Sequence, residues 1–180
     1  REIVNVMSAK GLIFGQQQEI QEALMYLTGL LPPRTQRLLA VDLEHSYSCQ
    51  QGCQQKWSVT ERDVTNLQVT ITDKKANSLE AVIAREIAGP RMHTDGCPRC
   101  GGPKVVISSR LLSLPENRIL TIAPNRLLFG RTTKNLVPIS CPLELVLDDC
   151  HYKLVAFAVH YGEKRDSGHY YAYVKRKHGD

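Results

Sequence analysis

Near its end the chain reads Ser167-Gly168-His169-Tyr170-Tyr171-Ala172-Tyr173-Val174, and this segment is the most informative part of the sequence. Its aromatic residues favour a β-strand, whose side chains point alternately to two faces, and the glycine lets the chain turn just before the strand starts. An imidazole titrates near physiological pH, so His169 in this position is a candidate general base. A hydrogen-bonded histidine at a strand edge is the alternative interpretation of His169 taken alone.

Upstream of this strand, the chain starts with helical patterning and continues with strand-like segments. Residues 16–31 have apolar side chains at helical spacing before Pro32, and Ser78 is placed to cap a second helix that ends before Gly89. The predicted strands are residues 37–47, 57–72, 104–112, 118–123, 143–147, 153–160 and 170–175. A helix followed by mostly antiparallel strands predicts an α+β fold rather than a repeating βαβ unit.

The composition is that of an ordinary globular protein. The chain has 180 residues, 42% hydrophobic and 23% charged, which suits one domain with an insertion. The net charge of +5 is dispersed except at Lys175-Arg176-Lys177-His178, which favours a solvated surface over a nucleic-acid site. The apolar runs are too short to span a bilayer, so we expect a soluble protein of the cytoplasm or nucleus. Because the first residue is Arg1, we expect a segment of a longer protein.

Four of the six cysteines form two close pairs that predict a zinc site. Cys49 and Cys53 are separated by three residues, Cys97 and Cys100 by two, and each pair falls at a turn between predicted strands. Two such turns can deliver four thiolates to one tetrahedral zinc ion, and a left-handed glycine after Cys100 helps backbone N–H groups to point at the sulfurs. A closed Cys₄ site is structural and would brace a β-ribbon. A disulfide framework or unrelated buried thiols is the alternative.

In this order, the motifs of the chain resemble those of the ubiquitin-specific protease family of cysteine deubiquitinases. The resemblance covers essentially the whole chain. It rests on the helix Gln17-Gln18-Glu19-Ile20-Gln21-Glu22-Ala23-Leu24, on the two cysteine pairs, on residues 114–126 and 137–145, and on residues 152–162 with 167–173, which are similar to the family's histidine box. The helix departs from the family pattern in having Glu19 for Asp and Ala23 for an aromatic residue.

The resemblance implies a papain-like right-hand architecture of thumb, palm and fingers, with a mostly antiparallel sheet and a Cys₄ zinc ribbon in the fingers. Residues 1–180 would form a single partial catalytic domain. In it, residues 1–35 are the remnant of a helical thumb, residues 36–112 are the fingers with the zinc ribbon, and residues 113–180 are the palm with the histidine box. The implied cofactor is structural zinc, and the implied partners are ubiquitin and ubiquitinated proteins, without a membrane.

The resemblance also implies hydrolysis of the bond after the C-terminal glycine of ubiquitin by a cysteine thiolate, with His169 as the general base. The implied substrate-binding residues are Gln17, Glu19, Gly168 and Tyr170. Gly168 would leave room for a slender glycine tail, and Glu19 would offer its carboxylate to an arginine of that tail. A solvated carboxylate at a helix start is the alternative for Glu19.

Two catalytic pieces of the family pattern are missing from the segment. Residues 1–15 contain no cysteine, and the chain ends at Asp180, before the strand that would carry an orienting Asp or Asn. We therefore expect both pieces outside the segment and no hydrolysis by the segment alone. A catalytically inactive ubiquitin-binding relative or scaffold, and a basic zinc ribbon that binds nucleic acid, are the alternatives. His160 matches a family position and is expected to pack and form hydrogen bonds rather than catalyse.

Overall fold

The computed structural model describes residues 20–72, 77–115, 119–126, 134–163 and 167–176. The helices in this part of the chain are α1 (Ile20–Gly29), α2 (Pro33–Arg37) and α3 (Leu79–Ala88). The strands are β1 (Val41–Cys49), β2 (Lys56–Val64), β3 (Leu67–Thr70), β4 (Asn77–Ser78), β5 (Arg91–His93), β6 (Val105–Ser113), β7 (Ile122–Asn125), β8 (Ile139–Ser140), β9 (Glu144–Leu147), β10 (Cys150–Lys153), β11 (Ala156–Tyr161) and β12 (His169–Val174). None of the helices described is long and apolar enough to cross a membrane.

The largest sheet has four antiparallel strands in the order β2-β1-β6-β5. Strands β9 and β10 form one antiparallel hairpin, and β11 and β12 form another. Two short pairs are parallel, β3 with β7 and β4 with β8. Helices and mostly antiparallel sheets together make an α+β fold, as the sequence predicts.

The main core lies where residues of α3 pack with residues of β1 and β3. Val82 and Ile83 on α3 are buried together with Val41, Val69 and Ile71. Residues three and four apart lie on the same face of a helix, which is why the apolar residues of this segment reach one core. The predicted cap is present, because the hydroxyl of Ser78 accepts a hydrogen bond of 3.2 Å from the N–H of Ala81.

Strand boundaries differ from the prediction where turns interrupt apolar runs. The strand predicted from residue 37 starts at Val41, because Pro33 takes the first helical position of α2 with its fixed φ. The strand predicted over residues 57–72 is divided into β2 and β3, which pair with different neighbours. Likewise Lys153 ends β10, and the strand predicted to begin there begins at Ala156. The strand predicted over residues 118–123 is observed at Ile122–Asn125.

Candidate functional sites: a four-cysteine cluster and a histidine hairpin

The four cysteines predicted to bind zinc come together at one end of the four-stranded sheet. Cys49 ends β1 and Cys53 lies in the loop to β2, while Cys97 and Cys100 lie in the loop between β5 and β6. Pairing of Cys49 with Val105 holds the first loop beside the second. The four Sγ atoms all lie within 4.8 Å of one another. The Sγ of Cys49 is 3.7 Å from that of Cys100, and the Sγ of Cys53 is 3.5 Å from that of Cys97.

Backbone hydrogen bonds shape the second loop around its thiols. The N–H of Cys97 donates to the carbonyl of Gly102 at 2.9 Å, and the N–H of Gly101 donates to the carbonyl of Cys97 at 2.8 Å. Gly101 has a φ of +67°, the left-handed conformation that a glycine adopts at little cost. The sequence prediction of a left-handed residue after Cys100 is therefore confirmed.

The thiols of Cys53 and Cys97 in this cluster differ in pKa, because each has different hydrogen bonds and neighbouring sulfurs. A backbone hydrogen bond at Gln55 lowers the pKa of Cys53, but desolvation and the neighbouring thiols raise it to about 12. Desolvation raises the pKa of Cys97, but hydrogen bonds from the backbone at Cys100 and Arg99 and from neighbouring thiols lower it to about 7. Four thiolates at this spacing repel one another, so the fully deprotonated cluster requires a cation at its centre.

The cluster fits a structural zinc ion. Zinc–sulfur bonds of about 2.3 Å in a tetrahedron place the sulfurs about 3.8 Å apart, close to the two cross-pair distances. All six cysteines of the chain are free thiols, which disfavours the disulfide alternative. The thiols also have an apolar setting, since Val105 is buried beside them and the rings of Tyr47 and Trp57 stack at 5.1 Å next to them. Four protein ligands would leave zinc no open position, so its role here would be to brace the sheet.

The remaining two cysteines lie outside this cluster. Cys141 follows β8 and is an exposed residue, and partial desolvation raises the pKa of its thiol although the positive charge of Arg126 lowers it. Cys150 is the half-buried first residue of β10. A raised pKa lowers the fraction of the Cys141 sulfur that is present as the nucleophilic thiolate.

The second site is the hairpin formed by β11 and β12. His169 is the first residue of β12. His169 is exposed and pairs across the hairpin with Tyr161. Gly168 precedes it with a φ of +141°, and Gly162 after β11 has a φ of +144°. Both values lie in a region that is essentially restricted to glycine. Gly162 therefore begins the connection between the two strands, and Gly168 ends it directly before His169.

The two faces of this hairpin carry different groups. Side chains alternate along each strand, so the face of His169 also carries Phe157, Val159, Tyr161, Tyr171 and Tyr173, all of them exposed. The opposite face carries the cross-strand pair His160 and Tyr170, whose ring centroids are 4.5 Å apart. The Tyr170 hydroxyl accepts a hydrogen bond of 3.4 Å from the N–H of Ile20 in α1. Tyr170 therefore connects the hairpin to α1.

Three of the five predicted catalytic or substrate-binding residues are consecutive in the chain, at Gly168, His169 and Tyr170, and the structure sets the side chains of His169 and Tyr170 on opposite faces of the hairpin. Gln17 and Glu19 lie outside the described residues. The sequence carried no signal for Lys134, whose Nζ lies against Nδ1 of His160. A lone lysine in a turn-rich segment resembles any solvated surface charge, so only the fold reveals this contact.

Comparison with known proteins assigns the chain to a family. A sequence profile of the ubiquitin carboxyl-terminal hydrolase family matches residues 3–180, so the chain belongs to that family. No curated protein sequence matches it significantly.

Two solved structures share its fold. One is a chain of the SAGA Ubp8/Sgf11/Sus1/Sgf73 DUB module bound to ubiquitin aldehyde, with 20% identity and a TM-score of 0.65 over 94% of this chain. The other is a chain of the same module bound to monoubiquitin, with 21% identity and a TM-score of 0.68 over 98% of this chain. The present chain spans only 44% and 45% of the length of these two structures.

Proposed function

We propose that this chain is part of a thiol-dependent deubiquitinase that hydrolyses the bond after the C-terminal glycine of ubiquitin, with His169 as its general base. The observation that carries the proposal is an exposed histidine placed directly after a left-handed glycine, in a chain of the ubiquitin carboxyl-terminal hydrolase family. Two structures of the same fold are bound to ubiquitin species, which supports ubiquitin as the partner. Ubiquitinated proteins are the proposed substrates, in the cytoplasm or nucleus.

The proposed nucleophile is a cysteine that precedes this segment in the intact protein. Four of the cysteines described here have their sulfurs within 4.8 Å of one another and suit a metal. Of the other two, Cys141 is an exposed residue whose thiol has a pKa raised by partial desolvation, and Cys150 is the half-buried first residue of β10. The segment alone is therefore proposed to be inactive, because a base without a nucleophile cannot form a thioester.

In the proposed mechanism, the neutral imidazole of His169 takes the proton of the thiol, and the resulting thiolate attacks the carbonyl carbon of the ubiquitin C-terminal glycine. The C–N bond then breaks, and the imidazolium returns the proton to the leaving amine. His169 next takes a proton from water, which attacks the thioester and releases ubiquitin with a free carboxylate and the thiol restored. Exposure of His169 allows a substrate and a nucleophile to reach its ring.

The remaining residues of the proposed site bind substrate. Gly168 presents backbone without a side chain beside His169, which suits the close approach of an extended glycine tail. Tyr170 would act through its position between the hairpin and α1, and Gln17 and Glu19 would contact the tail of ubiquitin. Zinc held by the four cysteines would brace the sheet and supply no chemistry to the reaction.

The test uses the intact protein and a fluorogenic amide of the ubiquitin C-terminal glycine. Substitution His169→Gln is expected to lower kcat by about 10²–10⁴-fold, the range for loss of a general base. The matched control is His151→Gln, because His151 is an exposed histidine of the other hairpin. Equal rates for the two variants would contradict the proposal, and ubiquitin binding without hydrolysis by the unsubstituted protein would favour the inactive relative.

A further inference from the structure

The imidazole of His160 fills the space beside both glycines that end the loop before His169. A Cβ added at Gly168 would lie 2.8 Å from Nε2 and 2.9 Å from Cε1 of His160. A Cβ added at Gly162 would lie 3.3 Å from the same Cε1. The ring of His160 therefore packs against the backbone of both glycines, at a separation that only residues without a side chain permit.

Other elements hold this ring from its remaining sides. The ring of Tyr170 lies 4.5 Å away, and Tyr170 is itself tied to α1 through the N–H of Ile20. Lys134 contacts Nδ1 of His160 with its Nζ, and the N–H of Lys134 donates to the carbonyl of Glu163 at 3.0 Å. Lys134 therefore contacts both the ring of His160 and the backbone of Glu163, near the start of the loop.

We propose that His160 is a positioning residue for His169, an inference that rests on the proposed role of His169 as general base. The two histidines lie on opposite faces of the hairpin, so His160 does not reach the face where His169 would react. It acts through Gly168, which a single planar peptide bond joins to His169. A shift of the Gly168 backbone therefore moves the backbone of His169 with it.

The expected effect is larger on turnover than on binding. A misplacement of about 1 Å at a reacting group can cost about 10²-fold in rate. Removing the ring with His160→Ala leaves the two glycines without their packing surface, so we expect kcat to fall by about 10- to 100-fold, with a smaller rise in KM because the proposed substrate contact of Gly168 moves as well. His160→Phe loses the contact with Nζ of Lys134 but keeps an aromatic ring against both glycines, so it is expected to retain most of the activity.

The experiment measures kcat and KM of the intact protein on the fluorogenic ubiquitin amide, together with hydrogen exchange of the peptide covering residues 167–174. His151→Ala is the matched control. We expect a lower kcat and faster hydrogen exchange in His160→Ala than in His151→Ala. In His160→Phe, kcat and the exchange rate should be close to those of His151→Ala. If His160→Ala does not fold, the folded His160→Phe variant decides, since an inactive His160→Phe would overturn the proposal.

Two further results would also overturn it. One is a His160→Ala variant with the kcat and the exchange rate of His151→Ala, and the other is an equal loss of kcat in His160→Ala and His160→Phe. Failure of the proposed function is distinguishable, because it would appear as equal activity of the unsubstituted protein and His169→Gln. Hydrogen exchange would in that case still report whether His160 holds the loop.

Discussion

Substitution Gly168→Ala should both destabilise the hairpin and impair the proposed site. The added Cβ would meet the carbonyl oxygen of Tyr161 and lie 2.8 Å from Nε2 of His160, whereas ordinary contacts begin near 3.4 Å. Because one obstacle is backbone, a change of side-chain rotamer cannot relieve it, and the two strand ends must separate by about 1 Å. The φ of +141° adds strain, since side chains other than glycine are disfavoured there.

The magnitude follows from these two costs. Backbone strain of this kind costs about 1–3 kcal/mol, and overpacking costs about 1–3 kcal/mol. Relaxation of the hairpin reduces the sum, so we expect about 2 kcal/mol, which corresponds to a fall of roughly 4–8 °C in the unfolding temperature for a chain of 180 residues. In the intact protein, displacement of His169 by about 1 Å should lower kcat by about 10²-fold.

The assay is thermal unfolding of Gly168→Ala beside Gly29→Ala, with kcat measured on the fluorogenic ubiquitin amide in the intact protein. Gly29 is the last residue of α1, and a Cβ added there has nothing within 4 Å. Gly29→Ala should therefore leave the unfolding temperature unchanged or raise it slightly. If Gly168→Ala unfolds at the temperature of Gly29→Ala, the close packing inferred at Gly168 is wrong.

Three further predictions concern the metal, the sheet and the core. Elemental analysis should find one zinc ion per chain, and the zinc content should fall in Cys97→Ser but not in Cys141→Ser. A zinc-free chain whose unfolding temperature does not change when a chelator is added would contradict the site. Urea unfolding should show Asp42→Ala destabilised by about 1–3 kcal/mol, because Oδ1 of Asp42 accepts a hydrogen bond of 3.0 Å from the N–H of Asp63 in β2. Asp42→Asn should be destabilised by less, since its amide oxygen can still accept this bond, and equal losses in the two variants would refute the role of the hydrogen bond. Ile83→Ala should cost about 2–5 kcal/mol and the exposed Ile119→Ala under about 0.5 kcal/mol, and similar values would show that Ile83 is not in a packed core.

Local signals were enough to predict several elements of this fold. The cysteine cluster follows from two short spacings at turns, because each turn already aims two thiols in one direction. Helix α3 follows from the cap at Ser78 and the apolar spacing after it. Strand β12 follows from its aromatic alternation, and it starts one residue before the predicted strand.

Contacts between distant segments were not predictable from the chain alone. The parallel pairs β3 with β7 and β4 with β8 join residues about 50 or more positions apart, and no local pattern encodes such pairing. The same applies to Lys134, whose contact with His160 depends on where the fold brings its segment. The catalytic and substrate-binding residues stay predictions, and so does the division into thumb, fingers and palm.

The register of the β11–β12 hairpin determines which histidine can face a substrate. His160 is paired with Tyr170 and Tyr161 with His169, so a slip of one residue in β12 would exchange the faces of His169 and Tyr170. Gly162 follows β11 and Gly168 precedes β12, both with positive φ, and the backbone geometry of these two glycines helps to set that register. Since the ring of His160 packs against both glycines, the residue on one face holds the geometry that presents His169 on the other. Strand alternation therefore separates the two proposed roles, with the proposed general base His169 on one face and the proposed positioning residue His160 on the other.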